Sequence, residues 1–176
     1  MCENSRQRVI HISIIAAAYN GDDRLVELLL ENGADPKAVD RTGKTAMLYA
    51  AGRGFAGIVG MLHATGVDVN LALGNDLTAL MWAAGFSNDV PPTEGLATVS
   101  LLLGLGAEVN RRDNRGRTAL MTAAERDYAE VVDALVKAGA KPGIEDNEGK
   151  TARDLASAAG SLDAIKALGA AGSAKP

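Results

Sequence analysis

Cysteine, histidine and aromatic residues are nearly missing from this chain. Its 176 residues include a single cysteine, Cys2, which rules out an intramolecular disulfide framework and any multi-cysteine zinc site. Two histidines, His11 and His63, leave little for His-based catalysis or metal ligation. With one tryptophan, three tyrosines and two phenylalanines, the core has to be built from small aliphatic side chains. No stretch approaches the ~18 uninterrupted apolar residues that a membrane-spanning helix needs. A dominant charge is missing too. The 18 basic and 22 acidic residues leave a net charge of −4, which gives no global reason to bind nucleic acid or an anionic membrane. At 47% hydrophobic and 23% charged, the composition is that of one globular domain, neither disordered nor fibrous.

The sequence also lacks motifs for chemistry. Neither a P-loop nor an H-E-x-x-H is present. Gly104-Leu105-Gly106 imitates part of a dinucleotide loop, but no strand precedes it. No spacing unites a nucleophile, a base and an oxyanion donor. The expectation is therefore a protein with no catalytic residue, no cofactor and no metal ligand. The stretch from Val9 to Tyr19 behind Arg6 and Arg8 faintly imitates a signal peptide, but His11 and Ser13 interrupt it and no A-x-A site follows. Cys2 also matches the mature start of a lipoprotein. The compartment stays open: the cytosol is slightly favoured, with a periplasmic or secreted protein the alternative if a leader was removed.

What the chain does have is glycine, 20 residues of it, and the glycines are periodic. Gly43-Lys44-Thr45-Ala46-Met47-Leu48-Tyr49-Ala50-Ala51 aligns with Gly116-Arg117-Thr118-Ala119-Leu120-Met121-Thr122-Ala123-Ala124. Asp76-Leu77-Thr78-Ala79-Leu80-Met81-Trp82-Ala83-Ala84 is a third copy, and Gly149-Lys150-Thr151-Ala152 opens a weaker fourth. The threonines at 45, 78, 118 and 151 are spaced 33, 40 and 33. The glycines at 33, 66, 106, 139 and 172 repeat the same intervals. Two residue types thus report one period of 33 with a single seven-residue excess. Ile12, Ala17, Ala18, Gly21, Val26 and Leu29 extend the register backwards.

Each unit reads as turn, helix, short loop, helix, loop. Thr45, Thr78, Thr118 and Thr151 are placed to cap a first helix, and the Ala-Ala pairs that follow let helices approach closely. Clusters such as Ile58-Val59-Met61-Leu62 and Val131-Val132-Leu135-Val136 give a second helix its buried stripe. Gly33, Gly66, Gly106, Gly139 and Gly172 supply the left-handed residue that ends a helix. Asp40-Arg41-Thr42-Gly43, Asp113-Asn114-Arg115-Gly116 and Asp146-Asn147-Glu148-Gly149 are turn sequences. The seven-residue excess falls at 87–96 and contains Asn88-Asp89-Val90-Pro91-Pro92, which predicts an inserted loop.

In these motifs the chain resembles the ankyrin-repeat proteins, whose pattern is D-x-x-G-x-T-P-L-H-x-A-A, a glycine turn, then V-x-x-L-L-x-x-G-A-D-x-N. The resemblance implies an all-α solenoid of five helix–turn–helix units joined by β-hairpin-like loops. A single domain over 12–172 follows a 1–11 extension and precedes a 173–176 tail, with fraying expected from Ala170. The units fall at about 7–39, 40–72, 73–112, 113–145 and 146–172. Ala46, Ala79, Ala119 and Ala152 replace the family's proline, while Leu48, Met81, Met121 and Asp154 replace its histidine, so these copies are expected to depend more on apolar packing. Leu73 and Asp76 depart from the hairpin aspartate and glycine of the third unit.

The resemblance also implies a non-catalytic module that binds another protein through hairpin tips and first helices. Carried over residue by residue, that surface comprises Arg41 and Lys44 at one tip, with Tyr49 and Arg53 on the helix behind. In the third unit it comprises Asn75, Leu77, Trp82 and Phe86, the last two four residues apart and expected on one helical face. Arg115, Arg117 and Arg126 follow in the fourth. Arg111, Arg112, Arg115 and Arg117 form a basic patch that reads first as a solvated turn, with contact to an acidic partner or a phosphate group as the functional alternative. The inserted loop, with Asn88 and Asp89, is expected to form one wall of a groove. The alternative function is an accessory protein holding a small ligand or peptide end near Trp82 and Phe86. A nucleic-acid partner ranks lowest, no membrane span is expected, and the chain is expected to be a monomer.

Overall fold

The computed structural model describes residues 14–72 and 74–173. Expectations that fall on Cys2, His11, Leu73 and the 1–11 extension lie outside the described residues, as does the tail beyond 173. The described residues form helices and turns, with an isolated antiparallel bridge between Val39 and Thr45. Helix α1 spans 14–20. It is followed by α2 (Asp23–Glu31), α3 (Ala46–Gly52), α4 (Ala56–Ala64), α5 (Ala79–Ala84) and α6 (Pro92–Gly104). Then come α7 (Ala119–Glu125), α8 (Ala129–Lys137), α9 (Ala152–Ala159) and α10 (Leu162–Ser173). Five helical pairs stack in a row. The inner layer runs α3 on α5 on α7 on α9, and the outer layer α2 on α4 on α6 on α8 on α10. This is an all-α solenoid in which each unit leans on its neighbours.

The local causes repeat with the sequence. Thr45, Thr78, Thr118 and Thr151 stand in extended backbone, and each Oγ1 accepts the amide three residues on at 3.3 to 3.4 Å. Met121 and Asp154, where the family has histidine, still accept a hydrogen bond from the capping residue. Met121 Sδ accepts from Thr118 N, and Asp154 Oδ2 accepts from Thr151 N at 2.9 Å. The Ala-Ala pairs, Ala50-Ala51, Ala83-Ala84 and Ala123-Ala124, have no exposed surface. Around them Leu48, Ile58, Leu62, Leu80, Leu102, Leu120 and Leu135 fill the space between layers. Core truncations of such leucines cost about 2–5 kcal/mol, so the aliphatic layer dominates stability.

Each regular hairpin is held by its aspartate. Asp40, Asp113 and Asp146 each use Oδ1 to accept the amides two and four residues on. Each also gives its own amide to the carbonyl of Lys44, Arg117 or Lys150. In the third unit, Asn75 and Asp76 take left-handed backbone with φ of 60° instead. Asn and Asp tolerate that region better than other side chains, so the turn closes without the usual glycine. Hairpin tips are tied in sequence: Asn114 N donates to Asn75 O, and Asn147 N to Arg115 O, both at 2.9 Å. At the other end of the second and third units, Asn70 bridges Gly106 O and Glu108 N, and Asn110 bridges Gly139 O and Lys141 N.

Three expectations are corrected. The insertion is not a loop throughout: only 87–91 is irregular, and α6 starts at Pro92, giving 13 residues where α4 and α8 have nine. Pro at the first position and Glu94 in the first turn favour that start, since an unused amide is lost there and the helix dipole welcomes an acid. Gly172 does not end a helix, and Ala170 does not begin a frayed tail, because α10 runs through both to Ser173. Phe86 is not on an exposed helical face with Trp82. Helix α5 stops at Ala84, and Phe86 turns inward to 2% exposure.

Candidate functional site

The concave face is made where the first helices and hairpin tips of successive units line up. Positions 52 and 85 are equivalent along the repeat and both are glycine. A Cβ on Gly52 would lie 2.8 Å from Trp82 Cε3, and one on Gly85 would lie 2.5 Å from Thr122 Cγ2. The two missing side chains let neighbouring helices close up and leave a hollow of about 340 Å³. Met81, Trp82 and Thr122 line it, together with Leu77 and Ser87. Arg115, Arg117 and Arg126 stand over it.

Aromatic rings lead into this hollow. Tyr19 meets Tyr49 edge-on at 5.5 Å between ring centroids, and Tyr49 meets Trp82 edge-on at 6.0 Å. Cations cover both ends, with Arg53 4.9 Å from the Tyr19 ring and Lys44 Nζ 5.6 Å from the Trp82 ring. Tyr49 Oη donates to Asp40 Oδ2 at 2.7 Å, so that hydroxyl is engaged within its own hairpin. Burial would raise the Asp40 carboxyl, but hydrogen bonds from Tyr49, Lys44 N and Thr42 outweigh it and hold it far below the usual carboxylate range. The same Asp40 contact, helped by burial, pushes the Tyr49 hydroxyl up.

All four arginines of the basic patch are occupied within the protein. Arg111 pairs with Glu108 at 3.4 Å, and Arg112 donates to the carbonyls of Gly116 and Glu145. Arg115 holds Asp113 Oδ2 through Nε and Nη2 at 3.1 and 2.9 Å, and Arg117 pairs with Glu125 at 2.9 Å. Arg126 is different. It is exposed, and among the described residues no acceptor engages its guanidinium.

The structure brings Leu77, Trp82, Arg115, Arg117 and Arg126 together around the hollow, with Lys44 against the outer side of Trp82. Arg41 and Asn75 are exposed at separate tips. Arg53 faces the insertion, pairing with Asp89 Oδ2 at 2.9 Å, where a hydrogen bond from Ser87 and the Arg53 charge keep the Asp89 carboxyl lowered. Asn88 Oδ1 lies 3.3 Å from Tyr128 Oη, whose single proton is shared with Phe86 O at 3.1 Å. Of the segment 87–96, Ser87 alone lines this hollow, while Pro92 lines a separate groove with Phe86 and Tyr128. Val90 packs under Gly54, and Gly95 covers the Phe86 ring. Met81, Thr122 and Asp113 were not anticipated as lining residues. The register held the signal for Thr122, which is the equivalent of Tyr49 and Trp82.

Among the described residues, no group of three or more His, Cys, Asp or Glu side chains is placed to hold a metal, and no helix is long and apolar enough to cross a membrane. The stacked helix pairs, capped by threonine and joined by aspartate-held hairpins, define a class of repeat protein. The match to a family model described as ankyrin repeats (3 copies), over residues 14–90 and 93–175, fixes it: the chain belongs to the ankyrin-repeat family.

Similar proteins include a transient receptor potential cation channel subfamily A member 1 homolog of Caenorhabditis elegans, 30% identical over 69% of this chain and 9% of that protein. An L-asparaginase of Dirofilaria immitis is 31% identical over 68% of this chain and 25% of that protein. The human ankyrin repeat domain-containing protein 63 is 33% identical over 64% of this chain and 29% of its own length. The chain thus spans less than a third of these relatives. Ankyrin repeats generally mediate protein–protein interaction and are generally non-catalytic.

Proposed function

We propose that this protein is a non-catalytic binding module that holds a protein partner in the hollow between its second and fourth units. The observation that carries this reading is the Trp82 hollow itself: a largely apolar surface, open to solvent, lined also by Leu77, Asp113, Arg115, Arg117 and Arg126, with Lys44 Nζ over the Trp82 ring. Tryptophan and arginine dominate the energetics of protein interfaces, and here they adjoin on one concave face. Burial of Phe86 favours a protein segment over a small ligand, because the enclosure that ligand needed between Phe86 and Trp82 is filled by packing.

A photo-crosslinking residue tests this in the native host. Placed at Leu77 on the hollow, it should join the chain to a discrete partner. Placed at Lys137 on α8, it should not. Equal yields from both positions, or none from Leu77, would sink the reading.

A further inference from the structure

We infer that the partner presents an acidic, extended segment in which an apolar side chain is flanked by aspartate or glutamate. This rests on the binding-module reading above and adds the chemistry of the occupant. Charge complementarity is the argument. The carboxylates beside the hollow are already committed: Asp113 accepts two amides and the Arg115 guanidinium, Glu125 pairs with Arg117, and Asp40 accepts Tyr49, Lys44 and Thr42. Among the residues that line the hollow, Arg115, Arg117 and Arg126 outnumber the single acid, Asp113. Arg126 has no acceptor among the described residues, and Lys44 Nζ is held by Thr42 Oγ1 and the Trp82 ring rather than by an acid.

The Arg115 side chain keeps 64% of its surface exposed while paired, and so can accept a second carboxylate on its outer edge. Between these charges the lining is largely apolar and lacks side chains at Gly52 and Gly85. An apolar side chain fits there with acids on either side. A neutral or basic segment would leave Arg126 desolvated without a partner, which is costly.

The test is a displayed library of random peptides, selected on the full chain. Selected peptides should carry Asp or Glu around a Leu, Ile or Phe, and should shift the emission of Trp82, the only tryptophan. Arg126→Glu should weaken them by about tenfold or more, since a charged hydrogen bond is lost and a repulsion gained. Arg126→Lys should retain most of the affinity, and both variants should keep the parent helical circular dichroism. Neutral or basic peptides that still shift Trp82 overturn the acidic inference and leave the binding module standing. Acidic peptides indifferent to Arg126→Glu also overturn it, as does displacement by an equally charged single-stranded oligonucleotide, which would indicate general polyanion capture. Failure to select any peptide at the Trp82 hollow defeats both readings.

Discussion

Gly95 and Phe86 compete for one volume: a Cβ at residue 95 would lie 2.3 Å from the Cδ1 and Cε1 atoms of the Phe86 ring. The ring has nowhere to go, because its other face is stacked on Tyr128 at 4.1 Å with the planes 4° apart. Alanine normally improves a helix interior, so the sign is decided by packing. Gly95→Ala should destabilise the fold by about 1–3 kcal/mol. Gly60→Ala in α4, where no heavy atom lies within 4 Å of the new methyl, should stabilise it by about 0.5–1 kcal/mol. Urea midpoints of the two variants check both signs.

Deleting residues 87–93 would restore the 33-residue period at the expense of Val90, which is 7% exposed, and of Pro92 and Thr93 at the start of α6. The thermal midpoint should fall by roughly 5–10 °C from the uncovered apolar surface. An unchanged midpoint would mean that the insertion is dispensable to packing.

Asn70 and Asn110 each clasp the next unit through a carbonyl and an amide, but Lys37 occupies the equivalent place in the first unit. Lys37→Asn should create the missing clasp to Gly66 O and Asp68 N. A gain of about 0.5–1.5 kcal/mol is expected, seen as a higher urea midpoint, because each added hydrogen bond is worth that order.

The Asp40 carboxyl, lowered by Tyr49, Lys44 and Thr42, ties stability to pH. Its folded value lies below its unfolded one of about 3.9, so the contribution is complete above that pH and declines as pH falls towards the folded value. Asp40→Asn should therefore be less stable than the parent at pH 7, with the difference shrinking by pH 2.5. A constant gap in denaturant midpoint across that range would contradict the role assigned to the carboxylate.

The repeat was legible because threonine caps, alanine pairs and helix-ending glycines each have a local physical reason to recur. The inserted unit was less so. Reading Trp82 and Phe86 as one helical face assumed that α5 continues past Gly85, but the helix ends at Ala84, and Phe86 is drawn in by the Tyr128 ring, 42 residues away. Nothing local encodes that stacking. The start of α6 was encoded: Pro92 followed by Glu94 is a helix-opening pattern, masked by the Pro-Pro turn signal. The hollow depends on which arginines find acceptors. Arg115 and Arg126 look alike in sequence, and only the fold shows that one is paired and the other is not.

The Tyr128 hydroxyl, which donates to Phe86 O at 3.1 Å, makes the third and fourth units a matched couple. In a stack of interchangeable layers, recombination can duplicate or drop one without consequence. Here, losing the fourth would strip Phe86 of its stacking partner, and copying it elsewhere would put a tyrosine where no ring awaits. Exchanging or removing a unit at this seam is therefore expected to cost stability, because the pairing is specific to these two units.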